Sequence, residues 1–296
     1  MRITLLANRD LHSNHALNLL LPRLANDHSL TLFLSDTVGG DPNRQSDLHW
    51  LQFLEQTVCN DLLFPALDRA GITGDLLTFS ALETFLEQAW VGLNDPNSEA
   101  GLAALAASRP DLVISLRYGR ILQPTAISLP PRGVLNLHSG RLPQYRGVMA
   151  TFRAMLSGDT LLGTTLHWID DASIDTGRVV HTHSEPLDPL RCYLSNVFSL
   201  YEPGCAAIIE AVHALSADED PENYRAAGTG DYFSFPNASE CRAFLAAGHI
   251  WADLGKFTTI LQRYCPPAKG AFPLDLGRID LSEAGLLTHY RATLQP

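Results

Sequence analysis

The sequence predicts an α/β fold: a Rossmann-like, mostly parallel sheet with a small irregular C-terminal extension. Three observations predict it. Two short apolar runs, residues 3–7 (ITLLA) and 30–34 (LTLFL), flank the apolar-periodic stretch HALNLLLPRLA, in the order strand, helix, strand. The continuous apolar run Leu112–Leu116 has the composition of a central parallel strand buried on both faces. The run VLNLH, Val134–His138, changes from apolar to amide to imidazole along one face as it nears its carboxyl end, where open α/β sheets gather ligands.

Each element follows in order. The first turn, ANRDLHSN, contains no glycine, so the G-x-G-x-x-G fingerprint of NAD and FAD binding is absent. Residues 39–44 read as a turn-rich link, and Leu48, Leu51, Val58 and Leu62 recur at helical spacing until Pro65 interrupts. LLTF, residues 76–79, is expected as a third strand, followed by helical material broken at Asn94, Asp95 and Pro96. Beyond Leu116 stand Arg117, Tyr118, Gly119 and Arg120, at the end of the central strand. TFRAMLSGD reads as a helix closed by Gly158, residues 163–169 (GTTLHWI) as a strand, and RVVHTHSE as an antiparallel strand. Val197, Leu200, Tyr201, Ile208 and Val212 then describe one long core-facing helix over residues 194–215.

At 296 residues the chain can bury a large core, and the reading divides it into a domain over 1–215 and an extension over 216–296. The extension opens with the charged linker ADEDPEN and the aromatic AAGTGDYFSFP, and Pro266, Pro267 and Pro273 weaken its periodicity. It is expected to pack on the first domain or on a partner subunit, which leaves a homodimer open. The net charge of -11 argues against a generic nucleic-acid binder, since phosphate neutralisation needs clustered Lys and Arg. Five scattered cysteines without C-x-x-C spacing suggest reduced thiols. No signal sequence or membrane-length apolar run is evident, so the expectation is a cytoplasmic protein.

Polar chemistry concentrates in residues 133–177, which open GVLNLHSGRLPQYRG and close WIDDASIDTG. Asn136, His138 and Asp175 offer an amide, an imidazole and a carboxylate, a set that suits acyl transfer to an amine. The amide can donate to a developing oxyanion, worth about 3–4 kcal/mol for a well-aimed donor. The imidazole can relay a proton near neutrality, and the carboxylate can orient it. No G-x-S-x-G elbow supplies a nucleophile, which favours direct attack. Taken singly, a strand-end Asn or His is more often a scaffold residue and a loop Asp a turn residue. His167, His181 and His183 alternate as a half-exposed strand face does, and no metal site is read there. Of the four tryptophans, Trp168 alone adjoins the loop as a candidate ligand contact.

The motifs N-x-H, Leu-Pro, Y-R-G and D-T-G in this order resemble the signature of the formyltransferases that use 10-formyltetrahydrofolate, the group of methionyl-tRNA, glycinamide ribonucleotide and sugar N-formyltransferases. The resemblance covers roughly residues 111–186 well, the N-terminal βαβ loosely and the tail only through FSFP. It implies the formyltransferase fold and a catalytic trio of Asn136, His138 and Asp175. It also implies a folate pocket formed by Tyr118, Gly119, Arg120, Ile121 and Leu122 with Ile169, Asp170, Asp171 and Ile174 closing over the pterin. The chain departs from the common H-P-S-L-L-P at Gly140 and Arg141. Arg141, with Tyr145 and Arg146, is therefore expected to bind the acceptor through an acidic group. The glycine-free first turn lowers glycinamide ribonucleotide as acceptor, and the acidic balance weakens tRNA. A small amine, an amino sugar or amino-acid derivative, remains. A hydrolase of the same folate and a non-catalytic folate-binding relative stay open as alternatives. Hydrolases of this kind often carry a preceding regulatory domain, for which a chain opening on ITLLA leaves no room.

Overall fold

Residue order along the sheet explains where the polar face of Val134–His138 ends up. The computed structural model describes residues 1–36, 46–188, 190–221, 225–226, 230–265 and 280–294. The expected link at 39–44 and Pro266, Pro267 and Pro273 lie outside the described residues.

Strand β1 (Arg2–Asn8) leads into helix α1 (Leu11–Leu24) and strand β2 (Ser29–Ser35), as the apolar runs require. Asp10 caps α1, its side chain accepting from the Ser13 N–H at 2.8 Å, and the helix buries Leu11, Leu17, Leu20, Leu21 and Leu24 on the sheet. A continuous helical segment follows: α2 (Ser46–Gln52), π-type turns over Phe53–Leu63, and α3 (Phe64–Ala70). Pro65 does not interrupt it; it stands where the π-type turns pass into α3.

The expected strand at 76–79 is absent. Leu76 and Phe79 are buried as an inner strand would be. Their segment, however, bonds to Arg263 O through the Leu76 N–H and to the Asn18 side chain through the Leu77 N–H, not to a neighbouring strand. The sheet edge is instead the short β3 (Val91–Gly92) beside β2. After α4 (Glu99–Ala107) come β4 (Leu112–Leu116), the single turn α5 (Pro124–Ile127), β5 (Val134–His138), the short β6 (Arg146–Gly147) and α6 (Ala150–Leu156). Strands β7 (Leu161–Trp168) and β8 (Arg178–Pro186) form an antiparallel pair, and the main sheet runs β3-β2-β1-β4-β5-β7-β8-β9, with β9 at Arg225–Ala226. Strands β3 to β5 in this order are parallel, and the direction reverses between β5 and β7.

The long helix expected over 194–215 is two, α7 (Tyr193–Ser199) and α8 (Tyr201–Ser216). Pro203, lacking an N–H, lies in the first turn of α8 and is the reason for the break. Val197, Leu200, Tyr201, Ile208 and Val212 are nonetheless buried. Gly204 lets α8 approach β5: a Cβ there would stand 2.9 Å from the Leu137 side chain.

The extension is helical where weak periodicity suggested irregular chain. A short strand β10 (Tyr232–Phe233) pairs parallel with β6, and α9 (Ala238–Ala246), α10 (Leu254–Gln262) and α11 (Glu283–Thr293) follow. Phe244, Trp251, Phe257 and Tyr264 join the same core as the sheet. Trp251 stacks on Phe152 at 5.3 Å between centroids and on Phe244 at 4.5 Å. Arg153 of α6 pairs with Glu240 and donates to Ser234 O at 2.8 Å. The Tyr264 hydroxyl donates to Asn14 of α1 at 2.7 Å. No helix among the described residues is long and apolar enough to cross a membrane, and the five cysteines are buried and unpaired.

Trp251 joins α9 of the extension to α6 through rings on both sides, so Trp251→Ala is expected to lower stability by about 3–5 kcal/mol in chemical denaturation. Leu245→Ala, on the exposed face of α9, is expected to cost less than about 0.5 kcal/mol in the same measurement.

Candidate active site

Alternation along β5 puts Asn136 and His138 on one face, and the pairing of β5 with β7 sets His167 directly opposite Asn136 and Thr165 opposite His138. The Asn136 amide nitrogen lies 3.0 Å from His167 Nε2. His167 Nδ1 is 2.8 Å from Trp168 O, a carbonyl that can only accept. His167 Nδ1 therefore donates to that carbonyl, and Nε2 faces both the Asn136 amide and Asp175. By the same reasoning His138 donates Nε2–H to Tyr145 O at 2.7 Å and leaves Nδ1 toward Asp175.

Asp175 arrives from the β7–β8 loop. Its Oδ2 stands 3.5 Å from His138 Nδ1 and its Oδ1 3.4 Å from His167 Nε2, so one carboxylate lies between two imidazoles. The Gly147 N–H donates to Oδ2 at 2.8 Å. Burial alone would push this carboxyl up. The His138 ring, the His167 ring and the Gly147 N–H outweigh it and hold the group well below the usual carboxylate range. The backbone cooperates: Asp175 has φ 54, a left-handed conformation that Asp tolerates. Gly147 has φ 94, and a Cβ there would fall 2.2 Å from Phe233 O.

These residues border a cavity of about 480 Å³ along the carboxyl ends of β1, β4 and β5, within the range of small-ligand sites. One end is walled by Tyr118, Gly119, Arg120, Ile121, Leu122, Ile169, Asp171 and Ile174. Asn97 braces this wall by donating to Ile121 O at 2.8 Å and accepting from the Gln123 N–H at 2.8 Å. The opposite end is walled by Asn8, Asp10, Glu55 and Arg117, with Leu48, Leu51, Gln52 and Gln56. Ser234 and Phe235 of the FSFP stretch, and Tyr232 just before it, also border the cavity.

Several expected positions fall elsewhere. Asp170 turns away from the cavity and pairs with Arg178 at 2.9 Å. Trp168 is buried behind the loop, against the backbone of Gly133 and beneath the Arg178 guanidinium. Arg141 and Tyr145 border a separate small recess with Gly163 and Thr151. The cause is Thr165, whose hydroxyl donates to Gly140 O at 2.8 Å and accepts from the Leu142 N–H at 3.1 Å, drawing the loop down onto β7. Arg141 is thus not placed to meet an acceptor in the cavity. Arg146 is a brace, donating to Ile174 O at 2.9 Å and Gly230 O at 3.2 Å. Gly140, the other departure, lies under the His138 ring: a Cβ there would stand 2.7 Å from His138 Nε2 and 2.4 Å from Ala150 Cβ.

Sequence reasoning did not single out His167 or, at the β1 end, Asn8, Asp10 and Glu55; it placed Arg117 at a strand end without its partners. The signal for His167 was present, since a Thr-x-His alternation on an antiparallel neighbour of β5 must face Asn136 or its neighbour. His181 and His183, by contrast, lie on the half-exposed β8. Among the described residues no group of three or more His, Cys, Asp or Glu side chains is gathered as metal ligands are.

Residues 79–192 match the family model described as Formyl transferase. The chain is 39% identical over 123 residues to the methionyl-tRNA formyltransferase of Nitrosococcus oceani, covering 42% of this chain and 37% of that protein. It therefore spans well under half the length of that relative. Among solved structures, a sugar N-formyltransferase from Shewanella sp FDAARGOS_354 superposes with a TM-score of 0.50 at 15% identity, covering 91% of this chain and 89% of that one. A 4-N formyltransferase from Francisella tularensis gives 0.51 at 10% identity, covering 83% and 88%. At these identities the likeness is one of fold.

The Asp175 arrangement has a pH signature. A carboxyl depressed in the folded state contributes stability that is complete above its unfolded value of about 4 and is lost as pH falls toward its folded one. Asp175→Asn is expected to cost about 2 kcal/mol at pH 7, and the gap from the parent protein should shrink steadily below about pH 4. A gap that stays constant with pH would contradict the assignment.

Proposed function

We propose, from the match of residues 79–192 to the Formyl transferase family model, that the chain transfers a formyl group from 10-formyltetrahydrofolate to the amine of a small acceptor. The observation that carries this reading is the convergence of Asn136, His138 and Asp175, with His167, on one cavity whose two ends differ in chemistry. Tyr118, Leu122, Ile121, Ile169 and Ile174 make an apolar slot at one end, suited to a flat heterocycle, and Ile121 is 49% exposed there. The folate donor supplies the formyl carbon; the chain supplies the positioning and the proton handling.

One of the two Asn136 amide hydrogens goes to His167, and the second is left for a carbonyl oxygen that gains charge as the amine attacks. The amine proton can pass to His138 Nδ1, where it is held against the ionised Asp175. Both rings face main-chain carbonyls and Asp175, not a serine or cysteine, which supports direct attack without an acyl-enzyme. The catalytic unit would be residues 1–215, with the extension from 216 lending Tyr232, Ser234 and Phe235 to the cavity wall. A second reading comes from relatives named methionyl-tRNA formyltransferase, in which the acceptor amine is carried on an aminoacylated RNA. Against it, Asp10 caps α1 in the cavity wall, so that helix start presents a carboxylate instead of an anion site.

Release of tetrahydrofolate from the 10-formyl donor, with and without an amine panel and methionyl-tRNA, tests the reading. Amine-dependent release is expected. Release that ignores every amine would mean a hydrolase, and tight donor binding without release a binding protein. Asn136→Ala and His138→Ala should each lower kcat by about 100–1,000-fold. Arg141→Ala, outside the cavity, should change the acceptor KM by no more than about twofold.

A further inference from the structure

The β1 end of the cavity has a chemistry of its own. Ala7 pairs with Leu116 and Leu116 with Leu137, so Asn8, Arg117 and His138, one residue farther along, form a row across three adjacent strands. Arg117 sits at the middle of that row in a left-handed conformation, φ 52, and its guanidinium turns toward β1. Its Nε donates to both oxygens of Asp10 at 3.1 and 3.0 Å, its Nη2 to Glu55 at 3.0 Å, and its Nη1 reaches the Tyr201 hydroxyl at 3.5 Å.

Two buried carboxylates share one guanidinium in the cavity wall, and the neighbours add no positive charge. His12, 3.5 Å from Glu55, is kept neutral by burial and by Arg117, its value lowered to about 3. Tyr193 and Tyr201 pack beside the group, and burial pushes both phenols up. The independent sign of a missing ligand is Asn8. It is 1% exposed and lies in the cavity wall, its amide nitrogen directed at Asp10 3.4 Å away, yet its side-chain carbonyl has no hydrogen-bond partner. A buried acceptor without a donor costs about 1–3 kcal/mol. An unpaired buried carbonyl beside two carboxylates in one stretch of the wall calls for a group that only donates and carries positive charge.

We propose that this end is a cation subsite, formed by Asn8, Asp10 and Glu55, which holds a second basic nitrogen of the acceptor, an ammonium or guanidinium, while a different amine of the same molecule faces Asn136. The identity of the reacting amine rests on the formyl-transfer reading; the subsite itself does not. β1 and β5 are separated by two strand spacings, about 10 Å, a distance that a short flexible spacer covers. The acceptor class is then a diamine or a basic amino-acid derivative, not a phosphorylated or acidic amine. The position of Glu55 supports this further: burial pushes its carboxyl up to about 7, with Arg117 opposing and Asp10 reinforcing, so a docked cation also favours its ionised form.

Calorimetry on the full chain without folate separates this inference from the one it builds on. 1,5-Diaminopentane and agmatine should bind at least about tenfold more tightly than pentylamine, the ratio of a single charge-assisted contact, and 5-aminopentanoate more weakly still. Glu55→Gln, which keeps the shape and the bond to Arg117, should reduce the diamine preference to near unity. Selective diamine binding without any formylation would uphold the subsite and overturn the transferase reading. Formylation of pentylamine or 5-aminopentanoate as readily as of the diamine would overturn the subsite. A diamine preference that survives in Glu55→Gln would also overturn it.

Discussion

A single buried carboxylate, Asp175, constrains most of what surrounds it. Removing an ionised carboxylate from water costs several kcal/mol unless it is compensated, and here the Gly147 N–H donates to it while two imidazoles flank its oxygens. Each partner has a structural requirement. The Gly147 N–H is available because the chain there runs with φ 94 against Phe233, which brings β10 over β6. His167 faces Asp175 because β7 runs antiparallel to β5, the point at which the sheet reverses direction. His138 stays in place because its other nitrogen is tied to Tyr145 O and Gly140 leaves room for the ring. The extension, the sheet reversal and the loop glycines thus all bear on one charge.

The two cavity ends divide the remaining work. The apolar end has few ionic demands and is braced by main-chain contacts through Asn97, as suits a planar ring held by shape. The β1 end is electrostatic, and its guanidinium is committed internally to Asp10 and Glu55. Asp10 serves twice there, as the cap of α1 and as the partner of Arg117. A loop built in this way cannot present the helix N-terminus to a phosphate, which is the physical counterpart of the missing glycines in ANRDLHSN.

The sequence made legible what depends on local periodicity and on strand-end chemistry. The opening strand, helix and strand, the central run Leu112–Leu116 and the polar face of Val134–His138 fall where alternation puts them, and Asn136, His138 and Asp175 come together. Legibility failed where tertiary partners decide. LLTF is apolar enough for a strand, but its N–H groups find Arg263 and Asn18. Arg141 looked like an acceptor contact until Thr165 drew its loop away, and His167 looked like one of three half-exposed histidines until cross-strand pairing placed it on Asp175. Glu55 and Arg117 are 62 positions apart, and no local pattern joins them.

The most direct test of formyl transfer at this site follows the formyl carbon itself. With 10-formyltetrahydrofolate labelled with carbon-13 at the formyl group, nuclear magnetic resonance of the full chain with a basic amine should show the label leaving the folate and appearing as an N-formyl amide. It should remain on the folate with the His138→Ala protein. Label that appears only as free formate, or moves to the amine equally fast without His138, would contradict the account.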